Sequence, residues 1–164
     1  MRQPRNLLRR FSKAEFSSPD LEPFESLEPG LFRCKSNSCL LCKDGYIQEC
    51  KSFLTSNGFE WQIKCRITCN SKNVIYFLKC TACNLTTYTG KTNDFRKRMN
   101  GHKSSSNLGT SSDIFDNHVF SCRKRSNYSA KPNFLVYAFL TVKNKDLLLP
   151  YEAHIQRLGH ATMN

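Results

Sequence analysis

The sequence predicts a small mixed α/β domain, a three-stranded antiparallel sheet flanked by helices, with a cysteine-rich extension on its N-terminal side. Three observations lead there. From Asn73 onward, strand-forming and helix-forming segments follow in the order β-β-α-(α)-β-α. Six of the nine cysteines fall before that point, between Cys34 and Cys69. A chain of 164 residues that is 39% hydrophobic, with 12 Phe, 6 Tyr and 1 Trp, has material for one compact core.

Along the chain the expected organisation is a basic, irregular segment over 1–30, a cysteine-rich lead-in over 31–72 and the α/β domain over 73–164. Within the first, Arg2 to Phe16 has the pattern of a short basic helix with Leu7, Leu8 and Phe11 on one face. In the lead-in, Glu60 to Cys65 alternates polar and apolar residues as a strand does. Val74 to Leu78 is β-branched and aromatic, a buried strand. Cys80 to Asn84 is then a turn, Thr86 to Thr89 a second strand, and Gly90 its end. Thr92 or Asn93 caps a helix to about Lys103, with Phe95 and Met99 on its apolar face and Arg98 and His102 on a neighbouring one. The Ser-rich stretch Lys103 to Ser112 reads as a loop, and Ser112 or Asp113 as the cap of a helix to about Cys122. Phe134 to Val142 is the third strand, with Asn144 in the turn after it. A last helix covers Leu147 to Leu158, with Pro150 in its first turn and Tyr151, Ile155 and Leu158 facing inward.

The charge narrows the function. Lysines and arginines number 25 against 13 acids, a net +12. Residues 1–60 carry 9 basic and 8 acidic side chains, so the excess lies in 61–164, with 16 and 5. Clusters at Lys91–Lys103 and Arg123–Arg125 point to a polyanionic partner, most often nucleic acid. No apolar run approaches the ~20 residues that cross a bilayer, and Met1 to Phe11 has no apolar stretch of signal-peptide length. Both features argue against a membrane protein and a secreted precursor.

An odd number of cysteines without a signal peptide favours reduced, metal-bound thiols over a disulfide scaffold. Cys39-x-x-Cys42 and Cys80-x-x-Cys83 each let one tight turn present two thiolates to zinc. Cys80 and Cys83, with His118 and Cys122 four apart on a helix, form one expected structural site, for which His102 competes as fourth ligand. Cys34, Cys39, Cys42 and Cys69 form a second, with Cys50 and Cys65 as alternatives. Metal then supplies what the apolar-poor lead-in lacks for folding.

One further constellation carries chemistry: Tyr76 and Tyr88 on the hairpin, Arg98 and His102 on the helix after it, and Glu152, the only glutamate after Glu60. Val74-Ile75-Tyr76 and Tyr88-Thr89-Gly90, followed by the helix through Arg98 and His102, resemble the two signatures and first helix of the GIY-YIG nuclease superfamily. The first signature has Val74 in place of glycine and the second Thr89 in place of isoleucine. The cysteine-rich lead-in and a Cys-x-x-Cys between the signatures resemble most closely the endonuclease domain of Penelope-like retroelements, over residues 31–164.

That resemblance implies a metal-dependent DNA endonuclease that nicks its target in the nucleus and leaves a 3′ end for an associated reverse transcriptase, working from an RNA template, to extend. It implies Tyr76 as general base and Glu152 as the ligand of Mg²⁺ or Mn²⁺; Tyr88 then positions the water or the phosphate, and His102 assists proton transfer or binds phosphate. Arg98 can hold a phosphate in a fork geometry. A tyrosine, with a reference pKa near 10, serves as a base when neighbouring cations lower it, and Arg98 and Lys91 are the expected cations. Lys91, Arg96, Lys97, Lys103, Arg123, Lys124 and Arg125, with the terminal Asn164, are the expected DNA contacts. The competing reading is a non-catalytic, zinc-stabilised nucleic-acid-binding module on the same fold.

Overall fold

A computed structural model describes residues 28–127, 129 and 131–157. The expected basic helix over Arg2 to Phe16, Leu158 and Asn164 lie outside the described residues. The centre is a three-stranded antiparallel sheet in the order β6-β5-β7, built from β5 (Lys72–Cys80), β6 (Thr86–Asp94) and β7 (Phe134–Thr141). The central strand β5 is buried almost throughout, as its Val-Ile-Tyr-Phe-Leu run requires. Val74, where the first signature ordinarily has glycine, is an ordinary buried strand residue paired with Thr92 and Thr141.

Helix α2 (Phe95–Leu108) follows β6 directly, α3 (Ile114–Ser126) packs against α2, and α4 (Leu148–Arg157) lies on β6 and β5. Two expected boundaries differ. Gly90 does not end its strand; β6 continues to Asp94, whose side chain caps α2 by accepting from the Lys97 N–H. The Ser-rich stretch is not a loop up to Ser112. Helix α2 runs through it to Leu108 because Ser106 is buried beneath the Asn133 amide (3.0 Å). It stops at Gly109, which adopts φ +68° and where a Cβ would lie 2.5 Å from the Phe120 ring.

The lead-in covers the other side of the sheet. It comprises β1 (Gly30–Leu31), the single-turn α1 (Leu40–Lys43), the hairpin β2 (Ser52–Leu54) with β3 (Glu60–Gln62), and β4 (Arg66–Ile67) paired in parallel with β1. Phe53 and Trp61 from that hairpin stack on Phe77 of β5 at 5.2 and 5.3 Å between ring centroids, and Trp61 meets Phe139 of β7 at 4.6 Å. Residues 31–72 therefore share one continuous core with 73–157. Among the described residues no helix is long and apolar enough to cross a membrane.

Candidate active site and metal centres

Strand register creates the site. Tyr76 pairs with Gly90 and Leu78 with Tyr88, so the two phenols lie on one sheet face, in mid-strand. Their rings are 6.4 Å apart. A Cβ on Gly90 would fall 2.6 Å from the Tyr76 hydroxyl and 2.7 Å from the Tyr88 ring. The glycine of the second signature is thus the floor on which both rings rest.

Helix α2 brings two more groups. Phe95, Met99, His102 and Ser106 form its buried stripe, so His102 faces inward with the apolar residues rather than outward beside Arg98. Its i+7 spacing from Phe95 carries that signal in the sequence. Arg98 donates from Nε to the Tyr76 hydroxyl (3.1 Å) and from a terminal nitrogen to Asp113 Oδ2 (3.0 Å), and it also bonds the Tyr88 hydroxyl. His102 Nε2 lies 3.1 Å from the Tyr76 hydroxyl, and its Nδ1 lies 2.8 Å from Asp116 Oδ1. Sequence reasoning missed both aspartates as site residues. Asp113 emerged there only as a helix cap, which it also is, accepting from the Phe115 N–H.

Burial pushes the Tyr76 phenol up, and the Arg98 charge beside it does not reverse that. The expectation that Arg98 and Lys91 would lower it is overturned: the phenol has almost no contact with water, and Lys91 is held elsewhere. Burial likewise raises Tyr88. Lys91 forms an ion pair with Glu152 of α4. Among the described residues Glu152 shares no hydrogen bond with the tyrosine–arginine–histidine set; it is linked to that set by its charge, which bears on Tyr88. The Glu152 side chain is only 12% exposed, with Lys91 against it, and its oxygens are hard donors of the kind a divalent ion takes.

The cysteines converge in two quartets. Cys34, Cys39, Cys42 and Cys69 form one, and Cys80, Cys83, His118 and Cys122 the other, with donor atoms in each set within 4.8 Å of one another. In the first, Cys39–Cys69, Cys34–Cys42 and Cys42–Cys69 sulfurs are 3.5, 3.9 and 3.2 Å apart, close to the ~3.8 Å edge of a tetrahedral zinc–thiolate set with 2.3 Å bonds. In the second, His118 Nε2 is 3.3 Å from Cys83 and 3.6 Å from Cys122, again near the ~3.6 Å expected of such a set. All nine cysteines are free. At Cys34 burial opposes ionisation, but hydrogen bonding from Cys69 prevails and brings the thiol down to about 6, while burial pushes Cys69 well up. Burial also raises Cys80 to about 12. A soft tetrahedral cation bound by either donor set would take the place of thiol protons. Cys50 and Cys65 stand outside both quartets, Cys65 against the Thr141 hydroxyl (3.3 Å), and His102 belongs to the tyrosines.

Several of the expected DNA contacts have partners inside the protein. A terminal Arg96 nitrogen lies 3.2 Å from the Cys34 sulfur and one of Arg125 lies 3.7 Å from that of Cys122, so each quartet has a guanidinium beside it. Lys103 pairs with Asp44 at 2.6 Å and Arg123 bonds Asn107 at 2.9 Å. Lys124 lies over the Phe120 ring, and Lys97 is exposed on the outer face of α2.

The GIY-YIG catalytic domain family matches residues 72–164. No curated protein matches the chain. A solved structure of a bacteriophage T4 EndoII mutant is similar at 22% identity, covering 76% of this chain and 95% of that chain with a TM-score of 0.42, an overlay too loose to transfer residue roles. The family match spans more than half of the sequence and includes both tyrosine signatures, the arginine–histidine helix and the late glutamate, and the chain accordingly belongs to the GIY-YIG family as a DNA endonuclease domain.

Proposed function

We propose that the chain nicks one strand of DNA in a reaction dependent on a divalent cation, on a scaffold held by two structural zinc ions. The observation that carries this reading is the hydrogen-bonded meeting of Tyr76, Arg98 and His102, with Tyr88 alongside. Glu152 would hold Mg²⁺ or Mn²⁺, which would supply charge to neutralise the phosphate.

The remaining roles belong to side chains. Arg98 is 42% exposed and extends beyond its bonds to Tyr76 and Asp113, where its fork can grip the scissile phosphate. With its phenol raised by burial, Tyr76 is protonated at neutral pH and acts as a relay. Once DNA binding admits a water to the buried Tyr76 oxygen, that water gives its proton to the oxygen while the Tyr76 proton passes to His102 Nε2. The water oxygen bonds to phosphorus as the bond to the 3′ oxygen breaks, and solvent protonates that oxygen. Tyr88 orients the water or the phosphate.

The cysteine-rich lead-in and the Cys-x-x-Cys between the two tyrosine signatures resemble Penelope-like elements. On that basis we assign the chain a retroelement origin, nuclear action and a role in supplying 3′ ends to a reverse transcriptase.

Supercoiled plasmid with Mg²⁺ or Mn²⁺ tests the reading. Conversion to nicked circles, lost in Arg98→Ala and Glu152→Ala, is the expected result. Tight binding without conversion overturns it in favour of a non-catalytic binding module.

A further inference from the structure

We infer that Asp116 is a positioning residue that locks His102 in the tautomer able to take the Tyr76 proton; the inference rests on the nuclease reading above. Asp116 occupies the third position of α3, where the helix N-terminus favours a carboxylate. Both of its oxygens are engaged: Oδ1 with His102 Nδ1 at 2.8 Å, and Oδ2 with the Ser111 hydroxyl at 3.1 Å. Ser111 in turn accepts from the Asp113 N–H at 2.9 Å, which orients its own hydrogen toward Asp116.

The direction of the chain follows from what each group can do. A carboxylate only accepts, so the neutral imidazole must carry its hydrogen on Nδ1, leaving Nε2 bare. A guanidinium only donates, so the Tyr76 oxygen accepts from Arg98 and its own hydrogen is free for Nε2. Arg98 thus donates to Tyr76, Tyr76 to His102 and His102 to Asp116, which ends the line as its acceptor. When a proton arrives on Nε2, the resulting imidazolium sits against the carboxylate.

The surroundings argue against a purely structural role. His102 and Asp116 are 1% and 3% exposed, and the imidazole lies among the rings of Tyr88, Phe115 and Phe134 at 5.9–6.3 Å. Filling such a site with apolar side chains would serve stability at least as well as an ionisable pair. Nor is the cluster arranged for a cation, although His102, Asp113 and Asp116 come within 4.8 Å of one another. Asp113 already holds the Phe115 N–H and the Arg98 guanidinium.

The test is ¹⁵N NMR of the histidine-labelled chain, with His102→Gln assigning the signal among the four histidines. The expected spectrum has a bare Nε2 and a protonated Nδ1 in the unmutated protein, shifting toward the other tautomer in Asp116→Asn. A protonated Nε2 with a bare Nδ1 in the unmutated protein overturns the inference, and this holds even if Asp116→Asn does not fold. In plasmid nicking, Asp116→Asn should lose on the order of 10²- to 10⁴-fold in kcat with KM and Tm nearly unchanged. A folded Asp116→Asn that nicks at the unmutated rate also overturns it. If the unmutated protein does not nick at all, the nuclease reading fails, while the tautomer still decides the role of Asp116.

Discussion

Both faces of the central sheet are covered, one by helices and one by the lead-in, and they differ in nearly everything else. On the face under α2 and α3, the Tyr76 phenol, the imidazole, the guanidinium and two aspartates are joined by directional bonds of 2.8–3.1 Å. On the face under the β2–β3 hairpin, Phe53, Trp61, Phe77, Phe139 and Tyr137 meet ring to ring. One strand, β5, serves both, alternating Tyr76 and Phe77. The aromatic face supplies apolar burial and shape, which lower the free energy of the whole fold; the polar face uses burial on groups that are costly to desolvate. Such a division places chemistry on one side and stability on the other, and substitutions should separate them.

The largest separation is expected between Arg98→Ala or Glu152→Gln and Trp61→Ala. The first two should abolish nicking, and Glu152→Gln should keep a melting temperature near that of the parent and retain DNA binding. Trp61→Ala should destabilise the fold by about 3–5 kcal/mol, with nicking per folded molecule unchanged. Gly90→Ala should fail on both counts, since its methyl group meets the two phenols at 2.6–2.7 Å. Nicking assays beside denaturant titrations check all four, and a Trp61→Ala protein that is stable but inactive would break the division.

Next in size is the effect of the quartets. Two zinc ions per chain are expected by elemental analysis, one for each donor set. Cys122→Ser should unfasten α3 from the β5–β6 turn, and with it Asp113 and Asp116, lowering both the melting temperature and nicking. Cys39→Ser should act chiefly on the lead-in and on stability. A protein purified without metal that melts and nicks normally would contradict both expectations.

The sequence made some of this legible and hid the rest for identifiable reasons. The hairpin, the third strand and the second quartet follow from local patterns: β-branched runs, a Cys-x-x-Cys in a turn, and a histidine and cysteine four apart on a helix; in the first quartet only Cys39-x-x-Cys42 is local, and the fold selects Cys34 and Cys69 over Cys50 and Cys65. Asp116 has no such pattern, since its value comes from His102 fourteen residues away on another helix. The continuation of α2 through Ser104, Ser105 and Ser106 runs against local propensity and is settled by Asn133. Arg96 and Lys97 are neighbours of like charge, yet one lies on a cysteine cluster and the other in water, a difference only the orientation of α2 decides.

That orientation gives a smaller effect. Lys97→Ala should reduce the slope of log affinity for DNA against log salt by about 1, the change that follows when a single lysine no longer neutralises a phosphate. Arg96→Ala should leave the slope unchanged and instead weaken zinc retention by the first quartet, measured by competition with a chelator. A reduced slope in Arg96→Ala would show that its guanidinium leaves the sulfur for DNA.

The smallest effect compares the faces through one hydroxyl each. Burial raises the phenols of both Tyr76 and Tyr137. A group whose folded value is raised binds its proton more tightly when folded, so its contribution to stability is complete below pH ~10, where the unfolded phenol titrates, and is lost as pH climbs toward the folded value. Tyr76→Phe and Tyr137→Phe should therefore each make stability less sensitive to alkali between roughly pH 10 and 12. At pH 8 they should diverge. Tyr76→Phe leaves the Arg98 Nε–H and His102 Nε2 without their shared partner and should cost about 1–3 kcal/mol. Tyr137, stacked on Phe53 at 4.9 Å and 11°, keeps that stacking as phenylalanine and should change little. Urea titrations at pH 8 and pH 11 read both differences, and equal costs at pH 8 would mean that the hydrogen-bonded line on the polar face contributes nothing to holding the fold.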